Sequence, residues 1–280
     1  KRFSFILWPN EKIRTVNQQL IKKWEIKDFQ DLVSRFDVEV VRQEFFETYL
    51  ELFVRLYKEI IKDKPFSDLL LSQNVDLVSF TKNLLWKIIF LYFVQQKWWL
   101  WLGKNTTTKY GEWNKDFMRK LWLNFKQQWE SLCTHEKTWY FYNDYLEWLF
   151  FAGLNVDRRK NDDRFEQLQM KVPYLNGWLF REEYEWWKTN ISRISNDIFS
   201  NKNEDWILDI FDRYNFTVNE EEPLEKEVAL DPELLGKIYE KLNAIRDDNF
   251  DEYLTALKSG KAGEETKFNK EYGVYYTPRE

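Results

Sequence analysis

From Pro9 onward the apolar positions fall mostly at helical spacing. Val41, Phe45, Leu52, Leu56 and Ile60 share one face of a helix expected over 40–61. Pro65, in KDKPFSD, breaks that pattern. The next run, 75–102, is apolar on most sides, which predicts a central buried helix. Residues 103–108 are turn-forming and polar and predict a loop. Phe117, Leu121, Phe125 and Trp129, spaced by four, predict a helix over 116–132. Shorter helices are expected over 140–154 and 206–214. Asp231-Pro232-Glu233 is a strong helix start, with Asp as cap, Pro in the first turn and Glu favoured by the dipole. Leu234, Leu235, Ile238, Leu242 and Ile245 then carry one apolar face.

Two stretches depart from this period. KRFSFIL alternates, with Phe3, Phe5 and Leu7 on one face, and predicts a short N-terminal strand. A lone strand wants a sheet to join, so this end reads as cut from something larger. KVPYLNGWLF (171–180), with Pro173 and the Asn176-Gly177 turn signal, predicts a fixed loop or small hairpin. Residues 247–270 are polar, contain Gly260 and Gly263, and read as a mobile linker. The expected fold is mainly α: an irregular multi-helix domain with a short N-terminal strand and a C-terminal linker. The chain divides into 1–37 (strand and connector), 38–246 (helical domain) and 247–280 (linker and the start of another domain).

Composition narrows the function classes. Of 280 residues, 44% are hydrophobic and 32% charged, a water-soluble globular balance. The net charge of −5 rules out a surface that is basic throughout, so any nucleic-acid contact has to be a local patch. The most apolar stretch, LLWKIIFLYFV (84–94), is too short to span a membrane, holds Lys87 and is flanked by Lys82 and Lys97. It reads as core, and no membrane partner is expected. One cysteine (Cys133) and one histidine (His135) exclude cysteine-rich zinc sites and the HExxH site, and suit a reducing cytoplasm.

Candidate chemistry is sparse. Cys133 and His135 lie on one short stretch and make no dyad. Glu25-Ile26-Lys27 matches the acidic-x-Lys fragment of metal-dependent nucleases, a triplet expected by chance in so charged a chain. Arg158, Arg159 and Lys160 could contact a DNA backbone. Asp157, Asp162 and Asp163 balance them, which favours a solvated charge run. Aromatics reach 19% and could stack on bases. Most Phe and Tyr fall on the apolar faces above, so helix packing is favoured for them.

Five stretches together resemble one family: KIIFLYFVQQKWWL (87–100), FYNDYLEWLFFAGLN (141–155), PYLNGWLF (173–180), the run 207–242 from ILDIFDRYNFTV through EEEPLEKEVALDPELLG to KIYEKL, and YGVYYTPRE (272–280). They look like the segment just before the catalytic domain of fused type IIG restriction-modification enzymes and related adenine-specific DNA methyltransferases of phage defence. The resemblance runs from about Val38 onward. Its most specific parts are NFTV…EP…DPELLG and the terminal YYTP, in that order. It implies that Tyr275, Tyr276, Thr277 and Pro278 form the methyltransferase's first motif (motif X) and line an S-adenosylmethionine pocket. Pro278 would suit the first turn of a helix. The alternative is that the four only shape a helix entry. The family's Gly-rich cofactor loop and its Asn/Asp-Pro-Pro-aromatic motif, which holds a flipped adenine, would lie beyond Glu280. The resemblance therefore implies a connector of a site-specific adenine methyltransferase, inactive alone, acting on double-stranded DNA with its own missing domains. Mg²⁺ enters only if a nuclease domain lies upstream. The competing reading is a stand-alone helical nucleic-acid-binding or scaffold protein.

The chain departs from that family where tryptophan stands at expected glycines. LNGWLF resembles a Leu-Asn-Gly-Gly-Leu-Phe element, and QKWWLW resembles a Lys-Gly-Trp-Leu-Gly element. Trp98, Trp101, Trp113, Trp139 and Trp178 are the suspects, with Trp8 and Trp206 weaker. Average glycine usage, about 7%, predicts roughly 20 glycines in this length. The chain has 8 glycines and 15 tryptophans. Some genetic codes read UGA as glycine where a common alternative writes tryptophan, which would explain both counts. A truly Trp-rich helical protein is the alternative.

Overall fold

The computed structural model describes residues 17–23, 25–35, 37–103, 115–132, 139–175, 178–182, 194–217, 229–230 and 232–259. Four of its first helices begin on an aspartate. Asp28 caps α1 (Phe29–Ser34), Asp37 caps α2 (Val38–Lys62), Asp63 caps α3 (Lys64–Ser72) and Asp76 caps α4 (Leu77–Gln96). Each carboxylate accepts a backbone N–H of the first turn, from Asp31, Glu39, Phe66 and Ser79 respectively. Such a cap is worth about 1 kcal/mol over alanine. Pro65 starts α3 rather than simply ending α2.

The expected central helix is α4. It is long and apolar enough to cross a membrane, but most of it is buried inside the fold. Its apolar character runs round most of its sides, so neighbours must cover each of these. Helix α2 covers one side through Phe45, Leu52, Phe53 and Leu56. Helix α5 (Phe117–Leu132) covers another through Phe117, Met118, Leu121 and Phe125. The expected helix over 140–154 is present as wide π-type turns, Tyr142–Leu146 and Trp148–Leu154, with Leu146, Leu149, Phe150 and Leu154 fully buried.

Helix α6 (Ile207–Phe211) completes an aromatic cluster with α2 and α4. Phe45 meets Tyr214 edge-on at 4.8 Å, and Tyr92 meets Phe211 edge-on at 5.4 Å between centroids. Phe93 meets Phe216 at 5.0 Å. Pairs of this kind contribute about 0.5–1.5 kcal/mol each beyond burial. The buried Phe and Tyr among the described residues therefore serve packing, as their helical spacing suggests.

Two small sheets staple distant segments. Strands β1 (Trp101–Leu102), β2 (Arg164–Phe165) and β3 (Met170–Lys171) pair antiparallel in the order β1-β3-β2. Leu102 and Phe165 both face Met170 across the register. Of KVPYLNGWLF, expected as a fixed loop or small hairpin, only Lys171 lies in a strand, 172–175 run on without one and 178–180 form a 3-10 turn, so the described part is loop rather than hairpin. Strand β4 (Asn215–Phe216) pairs in parallel with β5 (Ala229–Leu230). The strand expected in KRFSFIL lies outside the described residues.

Helix α7 (Pro232–Asn243) follows the Asp-Pro-Glu signal and buries Leu234, Leu235, Ile238 and Leu242, the face expected. The reading of 247–270 as linker needs correction in its first part. Helix α8 (Phe250–Ser259) begins there and buries Phe250, Tyr253 and Leu254. Phe250 packs on Tyr57 at 4.1 Å and on Phe53 at 6.0 Å. Three apolar residues at helical spacing suffice to dock a polar segment.

Helix α4 ends abruptly. Lys97 is its C-cap, and Trp98 follows with φ of 58°. That left-handed position after a helix is usually glycine, because a Cβ there costs about 1–2 kcal/mol. Trp98→Gly is expected to be about 1 kcal/mol more stable than Trp98→Ala. Urea unfolding of the two variants checks this, since both remove the indole and only one relieves the backbone.

Candidate functional site

The loop carrying the expected backbone-contact residues is largely self-satisfied. Arg158 turns inward and donates to the carbonyls of Ala152 and Gly153. Those carbonyls close the 148–154 turns and lack partners further along, so Arg158 acts as a C-terminal cap. Its guanidinium also lies 5.0 Å from the Phe165 ring. Arg159 forks onto Asp157, with Nε to Oδ1 at 3.0 Å and a terminal nitrogen to Oδ2 at 2.6 Å. That hydrogen bond pulls the Asp157 carboxyl down to about 2. Asp162 pairs with Lys171. Arg159 and Lys160 are exposed, and Arg158 is half-buried. Tyr275, Tyr276, Thr277 and Pro278 lie outside the described residues. Among the described residues no three His, Cys, Asp or Glu side chains are grouped to hold a metal.

The structure brings together a different set. Ser79, Lys82, Asn83 and Trp86 follow i, i+3, i+4, i+7 spacing and so form one stripe along α4. They interrupt an otherwise apolar helix, which is the signal that sequence reading overlooked. Facing them are Tyr239 and Asn243 on α7 and Arg246 just after it. Together they line an open pocket of about 130 Å³, with Trp178 at its edge. Trp86 and Tyr239 lie 5.5 Å apart between centroids at 52°, forming an aromatic corner. Two cations, two asparagines and four aromatics (Tyr49, Trp86, Trp178 and Tyr239) line it with Ser79, Ile238 and Leu242, and no carboxylate does.

The turn between α7 and α8 holds this pocket shut at its base. Lys82 Nζ donates to the Ile245 carbonyl at 3.0 Å. The Asp247 carboxylate accepts the N–H groups of Leu77 and Val78, at 3.3 and 3.2 Å, and the Tyr57 hydroxyl at 3.1 Å. Asp247 therefore caps α4 from outside, beside the helix's own cap, Asp76. The turn is internally braced by Asn249, whose side chain donates to the Ala244 carbonyl and accepts the Arg246 N–H.

Electrostatics in this turn are uneven. Burial pulls the Lys82 ammonium down to about 8, and Arg246 beside it adds to the shift. Asp76 and Asp247 oppose that shift. Burial, and then the neighbouring Asp76, raise the Asp247 carboxyl. Burial also acts on Asp76, but hydrogen bonds from Asp247 and Ser79 outweigh it and lower that carboxyl. Asp247 thus takes a proton before Asp76 does.

With this geometry in view, the chain was compared with known proteins. It is similar to a protein of Methanocaldococcus jannaschii that carries the provisional name of a type II restriction enzyme and methyltransferase. The two are 28% identical over 212 residues, which is 75% of this chain. The chain spans 14% of that relative's length. No family model matches, and no solved structure matches. The likeness supports kinship with restriction-modification proteins that include a methyltransferase, as the five sequence stretches implied.

The lowered Lys82 sets a sign for pH dependence. A lysine unfolded near 10.4 holds its proton while the native one has already lost it. Stability from this site is therefore expected to grow as pH rises from about 8 to about 10. Lys82→Met is expected to lose that component. Thermal unfolding of wild type and variant at the two ends of this window measures the difference.

Proposed function

We propose that the chain is the helical spacer of a larger adenine-specific DNA methyltransferase of a restriction-modification or phage-defence system. The observation that carries this reading is the likeness over 75% of the chain to a protein named for both activities. The ordered motifs NFTV…EP…DPELLG and YYTP support the finer assignment. On this reading the whole protein transfers a methyl group from S-adenosylmethionine to the exocyclic amine of adenine in double-stranded DNA. Tyr275, Tyr276, Thr277 and Pro278 line the cofactor side of that missing domain. A type IIG arrangement adds an upstream nuclease using Mg²⁺, and the protein works in the cytoplasm.

The spacer's task is mechanical. On this reading the described helices, packed around α4, fix the distance between the domains the chain joins. Arg159 and Lys160 are the exposed cations of their loop and could touch a backbone phosphate. No catalysis is assigned to the 280 residues alone.

The test uses the complete reading frame. Incubated with S-adenosylmethionine and DNA, the full protein is expected to yield N6-methyladenine by mass spectrometry, and residues 1–280 alone are expected to yield none. Thr277→Ala in the full protein is expected to raise the KM for S-adenosylmethionine more than it lowers kcat. A frame that closes at Glu280, with a product that binds DNA and transfers nothing, would return the stand-alone binding reading.

A further inference from the structure

We infer that the pocket between α4 and α7 takes one nucleotide of a DNA strand, with its phosphate on Lys82 and Arg246 and its base on Trp86 and Tyr239. This rests on the restriction-modification reading for the choice of polymer. The chemistry of the wall is independent of it. A chain of net charge −5 here gathers two cations and four aromatics with no lining carboxylate. Phosphate binding needs the first feature, and base stacking needs the second. Asn83 and Asn243 supply the donors and acceptors that a base edge would meet.

Size argues for a polymer. Pockets that enclose drug-sized ligands run from roughly 300 Å³ upward. At about 130 Å³ and open to solvent, this one suits a single group of a longer molecule lying across the surface. Lys82 has one bond to the Ile245 carbonyl, and an ammonium carries three donors, so it can hold a phosphate oxygen as well. Arg246 and Tyr239 are exposed at the mouth, where a strand would arrive.

The experiment measures binding of the 280-residue chain to a labelled duplex containing one unpaired nucleotide, and to the fully paired duplex, across a salt series. Arg246→Ala and Tyr239→Ala change exposed side chains and should fold as wild type by circular dichroism. The unpaired duplex is expected to bind tighter than the paired one. Arg246→Ala should make the salt slope shallower by about 0.9, the value for one phosphate contact. Tyr239→Ala should weaken binding at least about fivefold and leave the slope alone. Unchanged slope with Arg246→Ala, or unchanged affinity with Tyr239→Ala, overturns the proposal. Absence of DNA binding by wild type overturns it too, and leaves the methyltransferase reading standing, because that reading rests on sequence likeness.

A second inference comes from different residues. We infer that Trp98, Trp101 and Trp178 stand at positions that are glycine in the native protein, through a UGA codon. Trp98 occupies the left-handed position after α4. The Trp101 indole N–H is buried with no hydrogen-bond partner. Trp178 follows Asn176-Gly177 and is 64% exposed. By contrast Trp122 is buried against Phe141 at 5.0 Å, and Trp206 stacks under Arg55 at 4.2 Å. Trp129 also has an orphaned N–H, so that feature does not decide alone. The Trp98 backbone weighs most, because the strain is independent of how the ring packs. Trp139 is half-buried and shows no such strain, while Trp8 and Trp113 lie outside the described residues.

Peptide mass spectrometry of the protein from its own source, together with the codons, tests this. Glycine is expected at 98, 101 and 178, and tryptophan at 86 and 122. Tryptophan at 98 and 178 in the native peptide overturns the inference. Glycine at 178 would leave the pocket wider than about 130 Å³ and lined by three aromatics, Tyr49, Trp86 and Tyr239, with Lys82 and Arg246 in place.

Discussion

The fold depends on one constraint: α4 is apolar on most sides, the Ser79–Trp86 stripe excepted, and such a helix cannot face water. Fourteen of its residues are buried, from Leu77 to Gln95. No single neighbour can cover a cylinder, so α2, α5, α6, the 142–154 turns and strand β4 surround it. This accounts for the irregular look of the domain. Even Lys87, in the middle of α4, is buried, with its ammonium 5.0 Å from the Phe151 ring.

An apolar wrap alone would leave rotations of the outer helices poorly specified, and a polar seam fixes them. Arg119 of α5 donates through Nε to Asp212 at 2.5 Å and through a terminal nitrogen to Asp209 at 2.9 Å. Its other nitrogen reaches the Ser200 hydroxyl at 3.1 Å. Tyr92 of α4 donates to the second oxygen of Asp212 at 2.9 Å. Three helices are thus tied in one register. Burial pulls the Arg119 guanidinium down, and the two carboxylates more than restore it, so the net shift is upward. A seam of this kind specifies geometry more than it adds stability, because removing charges from water offsets much of the attraction.

Local signals in the sequence were strong enough to place α2, α5 and α7 within a few residues and the start of α4, but the helix expected to 102 ends at Gln96 and Trp101–Leu102 form strand β1. What they missed is non-local. Strand β1 pairs with β3 across about seventy residues of chain, and two-residue strands carry no period to read. Helix α8 was hidden by its polar neighbours, although Phe250, Tyr253 and Leu254 hold helical spacing. The stripe Ser79, Lys82, Asn83, Trp86 was visible, but its meaning required Tyr239 and Arg246, more than 150 residues away. Arg158, Arg159 and Lys160 show the opposite failure. They read as one basic run, yet the fold turns Arg158 onto its own carbonyls and gives Arg159 to Asp157.

On the proposed reading, the turn that follows α7 would join the mechanical and the binding roles. Asp247 clamps the start of α4 from outside, and Arg246, one residue earlier, points to the pocket. The two cannot move independently, because adjacent residues of a turn braced by Asn249 share one backbone. A phosphate held by Arg246 would therefore press on the same segment that pins the central rod. The chain then enters α8 and, beyond Ser259, the stretch that ends in YYTP. In a spacer this is a favourable place for a DNA contact, since the load passes directly into the rigid core. A contact on the 157–164 loop would reach the rod less directly, through the 148–154 turns that Arg158 caps and whose Phe151 lies beside Lys87 of α4.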